Sequence, residues 1–262
     1  MPNVLVFSGS DSQMRPMAED MKPADWNLIV RTPDSSEREV MEAAVWRDTL
    51  FELVKLPPGR TRPRVLDLGV GGGNNLSHLT SHVDAVAVDI APRMLDVSRK
   101  LNPGVRHVEG DMRDIRLGEK FDAVLMHDAI SYMFTEDDLG HAFATARAHR
   151  SPGGVVIAGP DWIRRRSSLP VLSHRQGETG EPSYAEFVHD PDPDDTQIEL
   201  IFSLFLPQDD GSVKVVIDRH EHGFFRLETW FQIMEEAGFT TAARTYGASE
   251  YLPGLLLTGV AL

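Results

Sequence analysis

The stretch VLDLGVGGGNN, residues 65–75, decides the fold class. Residues 65–68 are apolar except for Asp67, which is the pattern of a strand buried in a sheet. The loop after this strand contains three glycines at alternate positions: Gly69, Gly71 and Gly73. Glycine lets a backbone turn tightly and approach a ligand, because it has no Cβ. A strand, a glycine-rich turn and a helix therefore indicate the ligand-binding edge of an α/β sheet.

Short apolar runs alternate with helical patterns around this stretch, which is typical of a parallel sheet built from βα units. A helix is predicted over residues 39–56, ended by the Pro-Pro-Gly at 57–59. The predicted strands are 64–68, 85–89, 105–109, 123–127 and 155–158. Polar residues follow the first four strands, at the edge where open α/β sheets bind ligands.

The pattern changes after Pro160. Residues 161–195 are rich in Pro, Asp, Arg and Ser, and DPDPDD at 190–195 predicts a solvated loop. Two extended apolar runs, 197–206 and 213–225, are joined by the turn sequence PQDDGS and predict a hairpin. A helix over 227–237 and strands over 240–246 and 255–262 are expected to follow.

We therefore predict four parts. Residues 1–36 form an N-terminal arm or lid, and residues 37–160 form the ligand-binding core. Residues 161–225 form an antiparallel insertion that contacts a substrate, a second copy of the chain, or both. Residues 226–262 return the last helix and strands to the core.

Composition limits the function classes. The chain has 262 residues, 41% of them hydrophobic, and a formal net charge of −14, which disfavours a protein devoted to nucleic acid. It has no cysteine, so disulfides and thiolate metal sites are excluded. The apolar run at 4–7 is too short for a signal peptide, and no stretch reaches the ~20 apolar residues of a membrane span. We expect a cytoplasmic protein without membrane or nucleic-acid partners.

The glycine spacing separates several nucleotide-binding folds. A dinucleotide fold needs G-x-G-x-x-G, but the sixth position from Gly69 is Asn74 and that from Gly71 is Leu76. A phosphate-binding P-loop needs G-K-[ST], and this stretch has no lysine. A nicotinamide oxidoreductase remains a rival class, because Asp89 at the end of the next strand suits the ribose hydroxyls of NAD as well as those of any adenosine.

The remaining pattern, D-x-G-x-G-x-G headed by Asp67, resembles the first motif of class I S-adenosylmethionine (SAM)-dependent methyltransferases. In that family, an acid at the position of Asp111 in VEGDMRD accepts from the adenine amino group. The resemblance also implies that Met112 lies against one face of the adenine ring and Ile90 against the other. The cofactor residues it implies are Asp67, Gly69, Gly71, Gly73, Asp89, Ile90, Asp111, Met112 and His127.

Further segments extend the resemblance over residues 37–262: FDAVLMHDAISYMF at 121–134, SPGGVVIAG at 151–159 and FFRLETWFQIMEEAGF at 224–239. The order of these segments most resembles the N-methyltransferases that dimethylate nucleotide-linked amino sugars. This implies SAM as the cofactor, an amine acceptor and a Rossmann-like, doubly wound, mostly parallel sheet of seven strands with an antiparallel insertion. Two departures stand out: Tyr132 replaces a histidine of those enzymes, and DWIRRR at 161–166 replaces an aromatic-rich segment.

The acceptor is expected at the end of the fourth strand, where the candidate catalytic residues are His127 and Tyr132. His127 has the pKa range of a general base, which a hydroxyl acceptor needs more than an amine does. An O-methyltransferase with His127 as base and a noncatalytic SAM-binding module therefore remain alternatives. The candidate substrate-binding residues are Asp128, Tyr132, Asp161, Trp162, Arg164, Tyr184 and His222. His220, Glu221 and His222 lack a third ligand at suitable spacing, and no metal site is predicted.

Overall fold

The computed structural model describes residues 33–164, 169–177, 181–247 and 254–261, without side chains for 33–39 and 175. Nearly all of the predicted arm, residues 1–32, lies outside the described residues, as do Arg165 and Arg166. Among the helices described, none combines the length and apolar character needed to cross a bilayer.

A seven-stranded sheet forms the centre of the molecule, in the order β3-β2-β1-β4-β5-β11-β10. Its strands are β1 (Arg64–Leu68), β2 (Asp84–Asp89), β3 (Arg106–Glu109), β4 (Phe121–His127), β5 (Arg150–Gly159), β10 (Phe239–Tyr246) and β11 (Gly254–Ala261). The first five are parallel, whereas β11 and β10 are antiparallel to their neighbours. The carboxyl ends of β1, β2 and β4 therefore meet at one edge, on either side of the point where the strand order reverses.

Helices cover both faces of this sheet. They are α1 (Pro33–Leu53), α2 (Asn74–Leu79), α3 (Pro92–Leu101), α4 (Glu136–His149) and α5 (Leu227–Glu236). Alternate residues of each strand point to opposite faces, so the core is divided in two. In β4, Val124 and Met126 pack on the side of α4 and α5, whereas Ala123 and Leu125 pack on the side of α1. This confirms the predicted doubly wound, mostly parallel sheet.

The insertion is a second, four-stranded antiparallel sheet in the order β6-β7-β8-β9. Its strands are β6 (Val171–Arg175), β7 (Ser183–His189), β8 (Gln197–Pro207) and β9 (Val213–Gly223). The predicted hairpin is β8 and β9, joined by the predicted turn. The sequence reading missed β6 and β7, because their residues are mixed in polarity and mostly only partly buried in the structure.

Two local features place the insertion over the carboxyl edge of the main sheet. The hydroxyl of Thr196 donates to the carbonyl of Phe134, which follows the short 3₁₀ turn Ala129–Tyr132 after β4. A Cβ on Gly223, at the end of β9, would lie 2.0 Å from the carbonyl oxygen of Met133. Only glycine permits this approach, so the insertion closes over the residues that follow β4.

Candidate functional site

The glycine loop between β1 and α2 is fixed by the acid at the end of β2. Asp89 accepts from the amide of Gly71 at 2.7 Å and from that of Ala91 at 2.8 Å. Burial raises the pKa of Asp89, although these two amides offset part of the effect. Asp89 therefore shapes the loop and has remaining carboxylate lone pairs for hydroxyl donors of a ligand.

Gly69 and Gly73 serve different purposes. At Gly69, with φ +83°, a Cβ would lie 2.3 Å from the Cβ of Ala129, so the loop abuts the turn after β4. At Gly73, with φ +79°, a Cβ would lie 2.3 Å from Oγ of Ser98 in α3. The Gly73 carbonyl also accepts from Nδ2 of Asn102 at 3.0 Å. The structure thus packs Gly73 against α3, whereas a Cβ on Gly71 would meet only the terminal methyl group of Met94, at 3.7 Å.

Asp67 lies in β1 directly beneath the loop and is only 5% exposed. Burial raises its pKa to about 7, with the positive charge of His127 acting in the opposite direction. A buried carboxyl group at the mouth of a glycine loop is suited to a cationic ligand group, which would favour its ionised form.

The predicted adenine side lies beyond β3. Asp111 accepts from the amide of Arg113 at 2.8 Å and from its Nη2 at 2.6 Å. Burial alone would raise the pKa of Asp111, but Arg113 outweighs burial and lowers it. Met112 is buried and reaches under Gly69, whereas Ile90 is 43% exposed. The exposed side chain of Ile90 thus offers an apolar surface at the predicted adenine side.

His127 ends β4 between two carboxylates. Its Nδ1 lies 3.0 Å from Oδ2 of Asp128, and its Nε2 lies 3.3 Å from Oε1 of Glu42 in α1. Burial alone would lower the pKa of His127, but Asp128 and Glu42 raise it well above its ordinary value. Because both nitrogens face carboxylates, the protonated form of His127 is favoured, and that form has no lone pair with which to remove a proton.

Tyr132 lies in the turn after β4 and contacts the insertion. Its hydroxyl is 2.5 Å from Nδ1 of His220 in β9, and Nε2 of His220 is 3.1 Å from Oδ2 of Asp218. Burial, together with the negative charge of Asp161, raises the pKa of Tyr132, so the phenol stays protonated. Tyr132 therefore lies between β4 and the insertion, and the sequence did not indicate His220 as its polar partner.

Asp161 follows β5 and lies opposite Asp128. Its amide donates to Oγ of Ser131 at 3.0 Å, and its carboxyl group is close enough to that of Asp128 for the two to interact. Burial and the charge of Asp128 raise the pKa of Asp161 well above its ordinary value. Nδ1 of His222 lies 3.7 Å from Oδ2 of Asp161, so the structure brings together three of the predicted substrate residues.

Three other predicted substrate residues lie elsewhere. Arg164 donates to the carbonyl of Asp195 and places its guanidinium 5.2 Å from the Phe224 ring centroid, which ties down the loop at 190–195 in place of the expected contact with substrate. Trp162 packs in an apolar cluster of the insertion. Tyr184 packs with Leu204 and Val216, six strand positions from the level of His222, or ~20 Å along the sheet.

The sequence reading missed Glu42 and Glu186. Glu42 stands four residues before Trp46, and the two share a helix face; the Trp46 ring lies 4.8 Å from that of His127. The four-residue spacing from Trp46 could therefore have predicted that Glu42 lies at the site. Glu186, on the missed strand β7, acts on Asp161 through its charge. Within the described residues, no group of three or more His, Cys, Asp or Glu side chains is arranged to hold a metal ion.

Comparisons with known proteins agree with this geometry. Residues 65–154, from β1 into β5, match the family model described as a methyltransferase domain. The chain is 40% identical over 101 residues to a Streptomyces venezuelae enzyme, dTDP-3-amino-3,4,6-trideoxy-alpha-D-glucopyranose N,N-dimethyltransferase, covering 38% of this chain and 43% of that enzyme.

Two more relatives bear on the acceptor. The chain is 28% identical over 193 residues to dTDP-3-amino-3,6-dideoxy-alpha-D-glucopyranose N,N-dimethyltransferase of Streptomyces fradiae, covering 72% of each. It is 39% identical over 120 residues to magnesium-protoporphyrin O-methyltransferase of Rhodobacter capsulatus, covering 42% of this chain and 52% of that enzyme. The chain thus spans only about half the length of the first and third of these relatives.

Among solved structures, the fold is similar to that of a SAM-bound amino pentose methyltransferase from Micromonospora echinaspora, with a TM-score of 0.75 at 21% identity, covering 95% of this chain and 100% of that one. This likeness establishes the fold. Residues 65–154 thus match a methyltransferase domain. Beyond that domain, the chain resembles the amino-sugar N-methyltransferases.

Proposed function

We propose that this protein transfers the methyl group of SAM to the amino group of a small molecule, an amino sugar linked to a nucleotide. The observation that carries the proposal is the chemistry at the end of β4, where the carboxyl groups of Asp128 and Asp161 interact with each other and the pKa of the neighbouring His127 is raised well above its ordinary value. A cationic amine suits this surface. The names of the two dimethyltransferase relatives support the same acceptor class.

The residues at the glycine loop fit SAM. Gly71 has no side chain to block a ligand at the loop, and the buried carboxyl group of Asp67 suits the amino group of the methionine end. Asp89 would accept from the ribose hydroxyls, and the exposed side chain of Ile90 would cover the adenine. Asp111 would accept from the adenine amino group, a role that it would share with its pairing to Arg113.

SAM supplies an activated methyl group, whose bond to sulfur breaks as the bond to the acceptor nitrogen forms, with the electron pair left on sulfur. The chain's own task is to hold the acceptor in line and to exclude water. The insertion covers this edge through β9, and the phenol oxygen of Tyr132, whose hydroxyl is paired with His220, would accept a hydrogen bond from the acceptor or fix its orientation.

Methylation of a hydroxyl is the alternative, and the match to an O-methyltransferase keeps it in view. The transfer of a methyl group to a hydroxyl gains from a positioned general base, and the sequence suggested His127 for that role. The charge of His127, set by Asp128 and Glu42, argues against that role. We therefore favour the amine.

We also infer that the enzyme works in the cytoplasm on a free small molecule and forms a homodimer through the insertion. The absence of cysteine and the acidic composition support the first point. An apolar outer face of the insertion sheet supports the second.

Two measurements test the proposal. Calorimetry should detect micromolar binding of S-adenosylhomocysteine (SAH) and none of NADH; the reverse result would assign an oxidoreductase. Mass spectrometry should then detect one or two methyl groups transferred from SAM to an amino sugar in a panel that also contains amino acids and phenols. Transfer to phenols alone would replace the proposal with O-methylation.

A further inference from the structure

We propose that Asp161, which faces the buried and unpartnered Nδ1 of His222, and the neighbouring Asp128 form the subsite that binds the acceptor's ammonium group and removes one of its protons. The inference rests on the proposed function and goes beyond it, because it assigns the proton transfer to two named carboxyl groups.

His222 is the independent sign that a ligand belongs here. Its side chain is 6% exposed, and its Nδ1 has no hydrogen-bond partner among the described residues. The 3.7 Å between this atom and Oδ2 of Asp161 is too long for a hydrogen bond. A buried polar atom without a partner is costly, and a polar group of the acceptor held between His222 and Asp161 would supply one. Burial, and the charge of His220, lower the pKa of His222 to about 3, so it does not compete as a cation.

The two carboxyl groups are fixed and reachable. The hydroxyl of Ser131 holds the backbone of Asp161. Among the described residues other than glycine, Asp128 alone has a positive φ, of 26°. Backbone strain of this kind is often stored at functional sites. Side-chain exposure is 58% for Asp128 and 35% for Asp161, so a charged ligand can reach both.

The surrounding charges favour an ammonium group over a neutral hydroxyl. The groups that face Asp161 are Asp128 and the phenol of Tyr132 in the turn, Glu186 on β7, His127 on β4, whose protonated form is favoured, and the neutral ring of His222 on β9. Three carboxyl groups against one cation leave this subsite negative whenever two of them are ionised. An ammonium group would therefore be drawn in by charge.

The proton balance is simple. An ammonium group, R–NH₃⁺, has no lone pair and cannot accept a methyl group. One N–H bond breaks, the proton goes to a carboxylate oxygen of the Asp161–Asp128 pair, and the electron pair stays on nitrogen as R–NH₂. The carboxyl group then returns its proton to water through the more exposed Asp128, which readies the pair for a second methylation.

The test uses two ligands that share the adenosine and amino-acid ends. Sinefungin carries an ammonium group at the position of the sulfonium methyl group of SAM. SAH has no group at that position, and only its amino-acid end carries an ammonium. Titration calorimetry of both ligands, from about pH 5.5 to about pH 8, should give a preference for sinefungin that grows with pH, as the pair loses its shared proton. The preference is the ratio of the dissociation constants of SAH and sinefungin. The titration of Asp67 affects the binding of both ligands alike, so it cancels in this ratio.

Asp161→Asn should reduce the preference for sinefungin about tenfold and remove its pH dependence, with SAH affinity unchanged. Asp128→Asn, on an exposed turn, should act in the same direction. Asp209→Asn, at the exposed tip of the β8–β9 hairpin, is the matched control and should behave like the wild type.

SAH binding shows in each variant that the protein is folded. The subsite would be overturned if both Asp161→Asn and Asp128→Asn kept the wild-type preference for sinefungin over SAH at every pH. Failure of the wild type to bind SAH would instead overturn the proposed function, so the two failures are distinguishable.

Discussion

The buried carboxyl group of Asp67 couples folding, pH and ligand binding. Its pKa of about 7 in the folded protein exceeds the ordinary value of 3.8, so folding favours its neutral form. Its contribution to the free energy of unfolding is complete below about pH 4 and is lost as the pH rises through 7. The full loss, reached above about pH 7, is on the order of 4 kcal/mol, at about 1.36 kcal/mol for each pKa unit.

Asp67→Asn should therefore raise the melting temperature of the ligand-free protein at about pH 8 and change it little at about pH 4. The same variant should bind SAH weakly, because the amide cannot pair with the ligand's ammonium group. Differential scanning fluorimetry with and without SAH checks both points. Equal destabilisation at the two pH values would show that Asp67 is ionised and paired in the folded protein.

We expect that His127 does not act as a general base. His127→Ala should lower turnover on an amine by about tenfold or less, since positioning dominates. Added imidazole should not restore the rate. Loss of activity by roughly 10²-fold or more, with rescue by imidazole, would make His127 the base and move the assignment to O-methylation.

Sequence patterns predicted which residues lie at this site better than they predicted the charge and the surroundings of those residues. Asp67, Asp89 and the glycines follow from one local motif. The charge of His127 depends on Glu42, which is 85 positions away, and the surroundings of Asp161 depend on β7 and β9. Contacts between distant segments are absent from a local pattern, so neither state could be predicted.

The glycine loop and the turn after β4 form one packed unit. Gly69→Ala would place a Cβ 2.3 Å from that of Ala129, and φ +83° adds strain of ~1–3 kcal/mol for a residue with a side chain. The turn that carries Tyr132 must then move. We expect SAH affinity and turnover to fall at least tenfold.

Gly59→Ala is the matched control, because Gly59 has φ +85° and no atom within 4 Å of a Cβ. It should show a similar loss in thermal stability with normal SAH affinity. If both variants bind SAH normally, the contact between the loop and the turn has no part in the site.

The strands with uniform apolar character were predicted within a few residues, since burial on both faces dictates their composition. Helix α1 begins at Pro33, ahead of the predicted residue 39, and ends at Leu53 rather than 56. Strands β6 and β7 were missed because an insertion with one exposed face needs only half of its residues to be apolar, and here the pattern is interrupted by His174 and Glu186.

The outer face of the insertion is unusually apolar for a surface. Val213, Val215 and Ile217 of β9 are each more than half exposed, and Phe205, Phe187 and Leu172 continue the patch across the sheet. Their strand registers place them on one face. A face of this kind suits a second copy of the chain.

Val215→Glu should convert a dimer into a monomer in analytical ultracentrifugation, because it places a charge in the centre of the apolar face. Val40→Glu, at a similarly exposed position on α1, is the control and should stay dimeric. A wild-type mass equal to that of one chain would contradict the dimer.

The most direct test of N-methylation compares two nucleotide-linked sugars that differ only in an amino or a hydroxyl group at one carbon. The enzyme is incubated with SAM labelled with deuterium in its methyl group, and the products are analysed by mass spectrometry. The site described above predicts labelled mono- and dimethylated amino sugar and unmodified hydroxyl sugar. Label on the hydroxyl sugar, with none on the amino sugar, would contradict it.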